Sequence, residues 1–200
     1  MVNWRIFLSL WLVSLLLSGC ATPVDESYEY LLMDNTASHV EPEETLRTSM
    51  QLMPIVVANY LAGNEIVLVT NEGEVHRSQI NLWAEPLSPQ LTRLTQQRLE
   101  KTLPNVTWFV RQRLPSYAIA QLDIEVDRFF ADLDGVVHIT GRWLLISSEG
   151  DVMLSKAFDV RDTLKSDGYP AMTQTLADNW FKQVVSPMAH EIAKAFIESQ

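Results

Sequence analysis

The sequence has little cysteine and comparatively few basic residues. Cys20 is the only cysteine among 200 residues, so no disulfide can form within one chain, and the folded part depends on its hydrophobic core. Lysine and arginine number 15 against 25 aspartate and glutamate residues, which gives a formal net charge of −10. This acidic balance argues against nucleic acid as a partner and against docking on anionic headgroups through a basic patch.

Long apolar runs are also scarce, and the one that stands out lies at the N-terminus. Residues 6–17 are apolar apart from Ser9 and Ser14, which matches the core of a signal peptide and is short for a bilayer span. Leu-Ser-Gly-Cys at residues 17–20 then resembles the bacterial lipobox. The resemblance implies that residues 1–19 are removed as a signal peptide and that Cys20 is acylated. The alternative is an uncleaved membrane anchor with an incidental cysteine.

The residues after Cys20 bear on where the anchored protein resides. Residue 21 is alanine, whereas an aspartate there would resemble the inner-membrane retention signal. The signal therefore favours the outer membrane of a Gram-negative bacterium, with the protein on its periplasmic face. We expect residues 20–27 to form a short lipidated tether and residues 28–200 to form one domain.

Motifs for catalysis and metal binding are missing from the sequence. His-Glu-Ile-Ala-Lys at residues 190–194 begins like a zinc-peptidase helix, but Lys194 stands where the second histidine ligand would be. No nucleophile elbow or phosphate-binding glycine loop is present. We therefore predict no metal site, no cofactor and no catalytic residue, although two carboxylates could still meet in space and support a hydrolase.

The first half of the domain reads as short strands followed by a helix. Strand formers occupy residues 28–33, 50–61 and 65–70, and residues 74–79 follow a turn as a hairpin partner. Ser88 is suited to cap a helix whose first position is Pro89. The predicted helix carries an apolar stripe of Leu91, Leu94, Leu99 and Leu103.

The second half predicts a long antiparallel meander. Leu122, Ile124 and Val126 alternate with acidic residues, which is typical of a sheet with one buried face. Asp-Gly at residues 134–135 favours a two-residue type I′ turn. That turn would place Ile124 opposite Leu145, Val126 opposite Trp143, and Phe130 opposite Ile139.

A C-terminal helix is predicted from about Pro170 towards the end of the chain, with a bend or interruption at Pro187. Its apolar residues recur at every fourth position: Met172, Leu176, Trp180, Val184, Met188, Ile192 and Phe196. The fold class that follows is α+β, a single domain with a mostly antiparallel sheet and two long helices packed on one face.

The connection Asn-Leu-Trp-Ala-Glu-Pro-Leu at residues 81–87 has two interpretations. Trp83 could be a local core residue packed under the first helix, or it could anchor a contact with a partner or a second subunit, because tryptophan often does so at interfaces. In the second interpretation Glu85 and Pro86 share the contact surface. Tyr60, at the end of a strand, is a weaker candidate of the same kind.

The order of these motifs resembles the ABC-type transport auxiliary lipoproteins over essentially the whole mature chain. The strands, the Trp-Ala-Glu-Pro-Leu stretch at residues 83–87, the leucine-rich helix and the meander carry the resemblance. It implies an outer-membrane lipoprotein, acylated at Cys20, that works with a tunnel-forming MCE-domain protein. Members of this family are reported to form rings, and no catalytic residue carries over.

We therefore expect a docking or structural component of an MCE-type intermembrane phospholipid transport system. The resemblance implies a homo-oligomeric ring through which phospholipid could pass. An independent lipid-binding or envelope-assembly lipoprotein is the alternative, and a periplasmic hydrolase is a third. A carrier would copurify with lipid, whereas a docking ring would copurify with a protein partner.

Overall fold

The computed structural model describes residues 26–36, 46–109 and 118–198. The predicted signal peptide, Cys20 and most of the predicted tether lie outside these residues. Within them, no helix is both long and apolar enough to cross a membrane.

Nine strands and three α-helices make up the described chain. The strands are β1 Tyr28–Tyr30, β2 Thr48–Leu52, β3 Val56–Val57, β4 Glu65–Val69, β5 Val75–Trp83, β6 Val106–Phe109, β7 Ala120–Asp132, β8 Val136–Ile146 and β9 Val152–Thr163. The helices are α1 Leu87–Thr102, α2 Tyr169–Asn179 and α3 Ser186–Glu198, and a π-helical segment, Trp180–Val185, joins the last two. A 3₁₀ turn spans Asn59–Leu61.

The sheet is built around β7, the longest strand. On one side β7 pairs antiparallel with β8, which pairs antiparallel with β9. Along its other side β7 pairs in parallel with three short strands placed end to end, β2, β3 and β4. β4 continues antiparallel to β5, whose far side carries β1, and β2 carries β6. The predicted α+β class is confirmed, with long antiparallel ladders and short parallel additions.

The predicted register between β7 and β8 is wrong. Leu122 lies opposite Leu145, Ile124 opposite Trp143, and Phe129 rather than Phe130 opposite Ile139. The turn is one cause: it contains three residues, and Gly135 is its residue with positive φ, at 77°. A type I′ turn would need positive φ at Asp134 as well, and no described non-glycine residue has it.

A β-bulge in β7 is the second cause. The register shifts between Val126 and Arg128, so one extra residue on β7 faces β8. Before the bulge the even-numbered residues of β7 face the core, and after it Phe129 and Ala131 do so. Phe130 then lies on the opposite face of the sheet.

Two predicted boundaries in the first half are also corrected. The single strand expected over residues 50–61 is divided around Pro54 into β2, β3 and the 3₁₀ turn, because proline cannot donate a ladder hydrogen bond. α1 begins at Leu87, so Ser88 lies inside it and does not cap it. The Ser88 hydroxyl donates instead to the carbonyl of Ile55, 2.5 Å away, and joins α1 to the residue directly before β3.

The helices pack on one face of the sheet around Trp180. Its ring meets Phe129 of β7 and Phe158 of β9 edge-on, with centroids 6.1 and 5.8 Å apart. Its indole N–H donates to Thr95 Oγ1 of α1 at 2.9 Å. One side chain therefore joins the sheet, α1 and the C-terminal helical region.

The π-helical segment explains how an apolar residue at every fourth position remains buried. In an α-helix a four-residue step advances about 40° around the axis at each repeat, so the stripe would rotate away from the sheet. Between Trp180 and Val185 the hydrogen bonds span five residues, as between the Ser186 N–H and the Phe181 carbonyl. The wider turn offsets that rotation, and Trp180, Val184 and Met188 are all buried.

Candidate functional site

The loop after β5 begins with a buried tryptophan. Trp83 is the last residue of β5, is 3% exposed, and lies beside Phe129 with ring centroids 6.5 Å apart. Leu87, four residues later, is also buried. The structure thus places the Trp83 side chain in the core, as in the first of the two interpretations.

The residues between Trp83 and α1 face solvent. Ala84, Glu85 and Pro86 are exposed. The Glu85 carboxylate pairs with the Arg93 guanidinium at 2.9 Å, and the Gln90 amide donates to the Glu85 carbonyl at 2.6 Å. These bonds hold the loop against the first turns of α1, so Glu85 and Pro86 form a fixed surface feature.

Tyr60 belongs to a different part of the surface. Its hydroxyl donates to the Asp127 carbonyl at the β7 bulge, 2.7 Å away, and its own carbonyl accepts from Arg77 of β5 at 2.6 Å. Burial raises the pKa of the Tyr60 phenol to about 12, Arg128 opposes that rise and Asp127 adds to it. None of the contacts described for Tyr60 reaches Glu85 or Pro86.

Tyr60 lines an open groove of about 390 Å³ on the sheet face opposite the helices. Phe130 forms its floor, edge-on to Tyr60 at 6.4 Å and beside the His138 ring at 5.3 Å. Arg128 also lines the groove. Sequence reasoning missed this groove because the β7 bulge places Phe130 and Arg128 on that face.

A histidine–aspartate pair closes one end of the groove. His138 Nε2 lies 2.8 Å from Asp132 Oδ2, while Asp132 Oδ1 accepts the backbone N–H groups of Asp134 and Val136 at 3.0 and 2.9 Å. Burial opposes ionisation of Asp132, but these hydrogen bonds outweigh it and lower the pKa of the carboxyl group. Asp132 thus shapes the turn between β7 and β8.

The surroundings of His138 are described for residues 26–36, 46–109 and 118–198. In the described residues the hydrogen-bond partner of His138 is Asp132, and no serine, threonine or cysteine bonds to the imidazole. The same residues contain no group of three His, Cys, Asp or Glu side chains that could hold a metal ion. The arrangement is suited to fixing the hairpin rather than to activating a nucleophile.

A buried ionic cluster joins α1 to the segment after β1 and to α3. Arg98 is 4% exposed, and its guanidinium bonds to Asp34 at 3.1 Å, to Thr36 at 3.0 Å and to Ser186 at 3.0 Å. The sequence holds one signal for it, because Arg98 falls four residues after Leu94 on the apolar stripe. Its partners come from distant parts of the chain.

Comparison with known proteins gives consistent results. A family model described as ABC-type transport auxiliary lipoprotein component matches residues 30–189. The intermembrane transport lipoproteins PqiC of Escherichia coli (strain K12) and Shigella flexneri are each 29% identical over 188 residues, which is 92% of this chain and 97% of each relative.

Solved structures share the fold. The crystal structure of an uncharacterized protein is 28% identical, covers 84% of this chain and 99% of its own, and has a TM-score of 0.70. A protein from Xanthomonas campestris, 17% identical, covers 86% and 98% with a TM-score of 0.73. At that identity the second likeness concerns the fold alone.

Proposed function

This chain belongs to the ABC-type transport auxiliary lipoprotein family, and from that premise we propose that it is an outer-membrane-anchored docking component of an intermembrane phospholipid transport system. The family match over residues 30–189 carries the proposal. Its PqiC relatives are named as intermembrane transport lipoproteins. The family consists of transport components rather than enzymes, which is consistent with the predicted lack of catalytic residues.

Cys20 is the proposed lipidation site. The apolar run at residues 6–17 and the lipobox-like residues 17–20 support cleavage before Cys20 and acylation of its thiol. Each buried methylene contributes about 0.8 kcal/mol, so several acyl chains hold a protein on a membrane far more firmly than one. Alanine at position 21 supports delivery to the outer membrane, facing the periplasm.

The proposed partner is a tunnel-forming MCE-domain protein (PqiB-like) that reaches across from the inner membrane. We expect several copies of this chain to form a ring at the end of that tunnel, so that phospholipid passes through the ring. The groove beside Tyr60 is open to solvent, which is suited to passage through an assembly rather than to storage in an enclosed pocket.

The loop after β5 and the rim of the groove are the proposed contact surfaces. Glu85 and Pro86 are exposed and held in place by bonds to α1, whereas Trp83 supports the loop from the core. Tyr60 offers a half-buried ring at the groove. A partner would therefore touch Glu85, Pro86 or Tyr60, and Trp83 would act by positioning them.

Copurification tests this proposal. The tagged, lipidated protein is isolated from gently solubilised envelopes, and the proteins and lipids that accompany it are identified by mass spectrometry. We expect an MCE-domain protein, with its recovery reduced by Glu85→Lys and unchanged by Glu100→Lys, an exposed glutamate in the last turns of α1. Recovery of stoichiometric phospholipid without a protein partner would instead support an independent carrier.

The anchor is tested separately. Cys20→Ala should abolish acylation and move the protein out of the outer-membrane fraction, while the folded domain retains its circular dichroism spectrum. An unchanged fractionation would contradict acylation at Cys20 as the basis of anchoring.

A further inference from the structure

The directions of the strands show which end of β1 lies nearer to the turn between β7 and β8. β4 runs parallel to β7, β5 runs antiparallel to β4, and β1 runs parallel to β5. β1 is therefore antiparallel to β7. Tyr28, the first residue of β1, is consequently the end of β1 that lies nearer to the turn between β7 and β8.

The length of the tether limits how far that end can lie from the acylated cysteine. Cys20 and Tyr28 are eight positions apart, and a fully extended chain over eight Cα-to-Cα steps spans at most about 29 Å. Through the pairings of β1, β5 and β4, Tyr28 stands level with Phe129, about four residues, or ~13 Å, short of the turn at Leu133. Cys20 therefore cannot lie more than roughly 15 Å beyond the turn along that direction.

Apolar side chains are exposed at this end of the sheet. Leu133, in the turn between β7 and β8, is 65% exposed, Tyr28 is 55% exposed, and Val75 at the start of β5 is 39% exposed. We call these three residues the apolar end. Large apolar side chains at a site this close to a lipid anchor are suited to the interface of a bilayer.

The turn that carries Leu133 is held in one conformation. Asp132 accepts two backbone N–H groups of the turn and pairs with His138, and Asn71 of the neighbouring turn donates to the Asp134 carboxylate at 3.1 Å. Because the turn is already ordered, contact of Leu133 with another surface costs no further backbone entropy. This favours docking at Leu133.

We propose that the apolar end lies against the membrane leaflet that holds the Cys20 lipid, with Leu133 entering its interface. This inference rests on the acylation of Cys20 in the proposed function. The turn between β8 and β9, with the 59% exposed Val152, then faces away from that membrane, because β8 runs back from Leu133 along the length of the sheet.

The charge around the apolar end selects the kind of lipid. In the described chain, four carboxylates, Glu72, Glu74, Asp134 and Asp167, lie in the turns at this end of the sheet, against the one ammonium group of Lys165 in the same turns. Anionic headgroups would be repelled by these carboxylates, so the surface is suited to a leaflet of zwitterionic phospholipid.

Site-directed spin labelling tests the orientation. Because the sulfur of Cys20 is blocked by its lipid, Leu133→Cys and Val152→Cys each introduce a single free thiol at a comparably exposed site. Each lipidated variant is checked for acylation by intact mass, labelled with a nitroxide, and reconstituted into phosphatidylcholine nanodiscs. Collision rates with oxygen and with a water-soluble nickel complex are then measured.

The ratio of the oxygen collision rate to the nickel collision rate should be several-fold higher for the label at residue 133 than for the label at residue 152. Inserting a long Gly-Ser linker between residues 25 and 26 should remove that difference, because the tether would no longer hold the end at the bilayer. In the protein without the linker, equal ratios at the two positions, or a higher ratio at residue 152, would overturn the proposed orientation. Acylation of Cys20 would be unaffected by that result. A missing acyl mass would overturn the anchor itself, and the orientation with it.

Discussion

At Gly141 the strands β7, β8 and β9 approach more closely than a side chain would allow. Gly141 lies opposite Val126 of β7 and Phe158 of β9, beside the bulge. A Cβ at this position would overlap the Glu125 carbonyl oxygen and the Phe158 ring. The glycine is therefore required by close approach of the backbone rather than by its own backbone angles.

Replacing Gly141 with alanine should lower the free energy of unfolding by about 2 kcal/mol, because the bulged strand has to move away. Urea unfolding followed by circular dichroism measures the change. Ser155→Ala, at an exposed position of β9, is the control and should stay within about 0.5 kcal/mol of the parent. If the Gly141→Ala protein is as stable as the control, β7 can move at the bulge without lowering the free energy of unfolding.

Asp132, in the same hairpin, makes a pH-dependent contribution to the free energy of unfolding. Its native pKa is lowered, so the unfolded state binds its proton more readily. The contribution is complete above the unfolded pKa of about 3.9 and is lost as pH falls through the native pKa. Ionised Asp132 thus stabilises the turn at neutral pH.

We expect Asp132→Asn to lower the melting temperature at neutral pH and to leave it nearly unchanged at the acidic end of the folded range. The difference in melting temperature between the parent and the variant should decrease as pH falls below about 4. Asp159→Asn, whose carboxylate is largely exposed beside Arg161, is the control. If the difference in melting temperature does not change with pH, the effect comes from the altered hydrogen bonds of the amide and not from the lost charge.

At the scale of elements, α1 supplies the arginines of two ion pairs, one buried and one exposed, whose carboxylates lie outside the helix. The pair of Arg98 with Asp34 is buried, with side chains 5% and 12% exposed, while the pair of Arg93 with Glu85 is 47% and 48% exposed. Removing one partner of a buried pair leaves an uncompensated charge, whereas an exposed pair is screened by water.

Arg98→Ala should therefore destabilise the domain by about 3 kcal/mol, and Arg93→Ala by less than about 1 kcal/mol. Urea titrations of both variants in one buffer give the comparison directly. Similar losses in the two variants would mean that Asp34 reaches solvent once its partner is gone.

The element scale also shows what the sequence could predict. The alternation of Leu122, Ile124 and Val126 identified β7 and its buried face, but two adjacent phenylalanines after Arg128 fit either face. The alternation therefore could not reveal the bulge, and the assumption of a two-residue turn added a second error. By contrast, the π segment was signalled by apolar residues spaced more widely than an α-helix requires.

For the candidate site, the sequence and the structure contribute different parts. The Cys20 prediction depends on a local signal that needs no folded context, and it stays a prediction. The groove at Tyr60 and the cluster at Arg98 each join residues that are dozens of positions apart, so they depend on tertiary pairing. Trp83 had a local signal that was compatible with both interface and core, and burial places its ring in the core.

At the scale of the whole molecule, one continuous core links both helical regions to the sheet. Buried residues from β2, α1, β7, β8, β9 and the C-terminal helices belong to a single cluster. No separate second core is found in the described residues that could remain folded alone. Loss of one part should therefore destabilise all of it.

Equilibrium unfolding should accordingly show one transition, with the same midpoint by far-ultraviolet circular dichroism and by tryptophan fluorescence. Trp83, Trp143 and Trp180 are all buried in this core, so the fluorescence reports on its packing. Midpoints that differ between the two probes would reveal a helical subdomain that separates from the sheet before the rest unfolds.

The three short strands placed end to end along β7 have a kinetic consequence. β7, β8 and β9 are consecutive in the chain, so their contacts close short loops, whereas β2, β3 and β4 must each find β7 from 50 or more residues away. The meander should therefore form first and offer one continuous edge, onto which the three strands are added later. In pulsed hydrogen exchange during refolding, amides of β8 should become protected before those of β2 and β4. The slow step of folding would then be the pairing of β2, β3 and β4 with the free edge of β7.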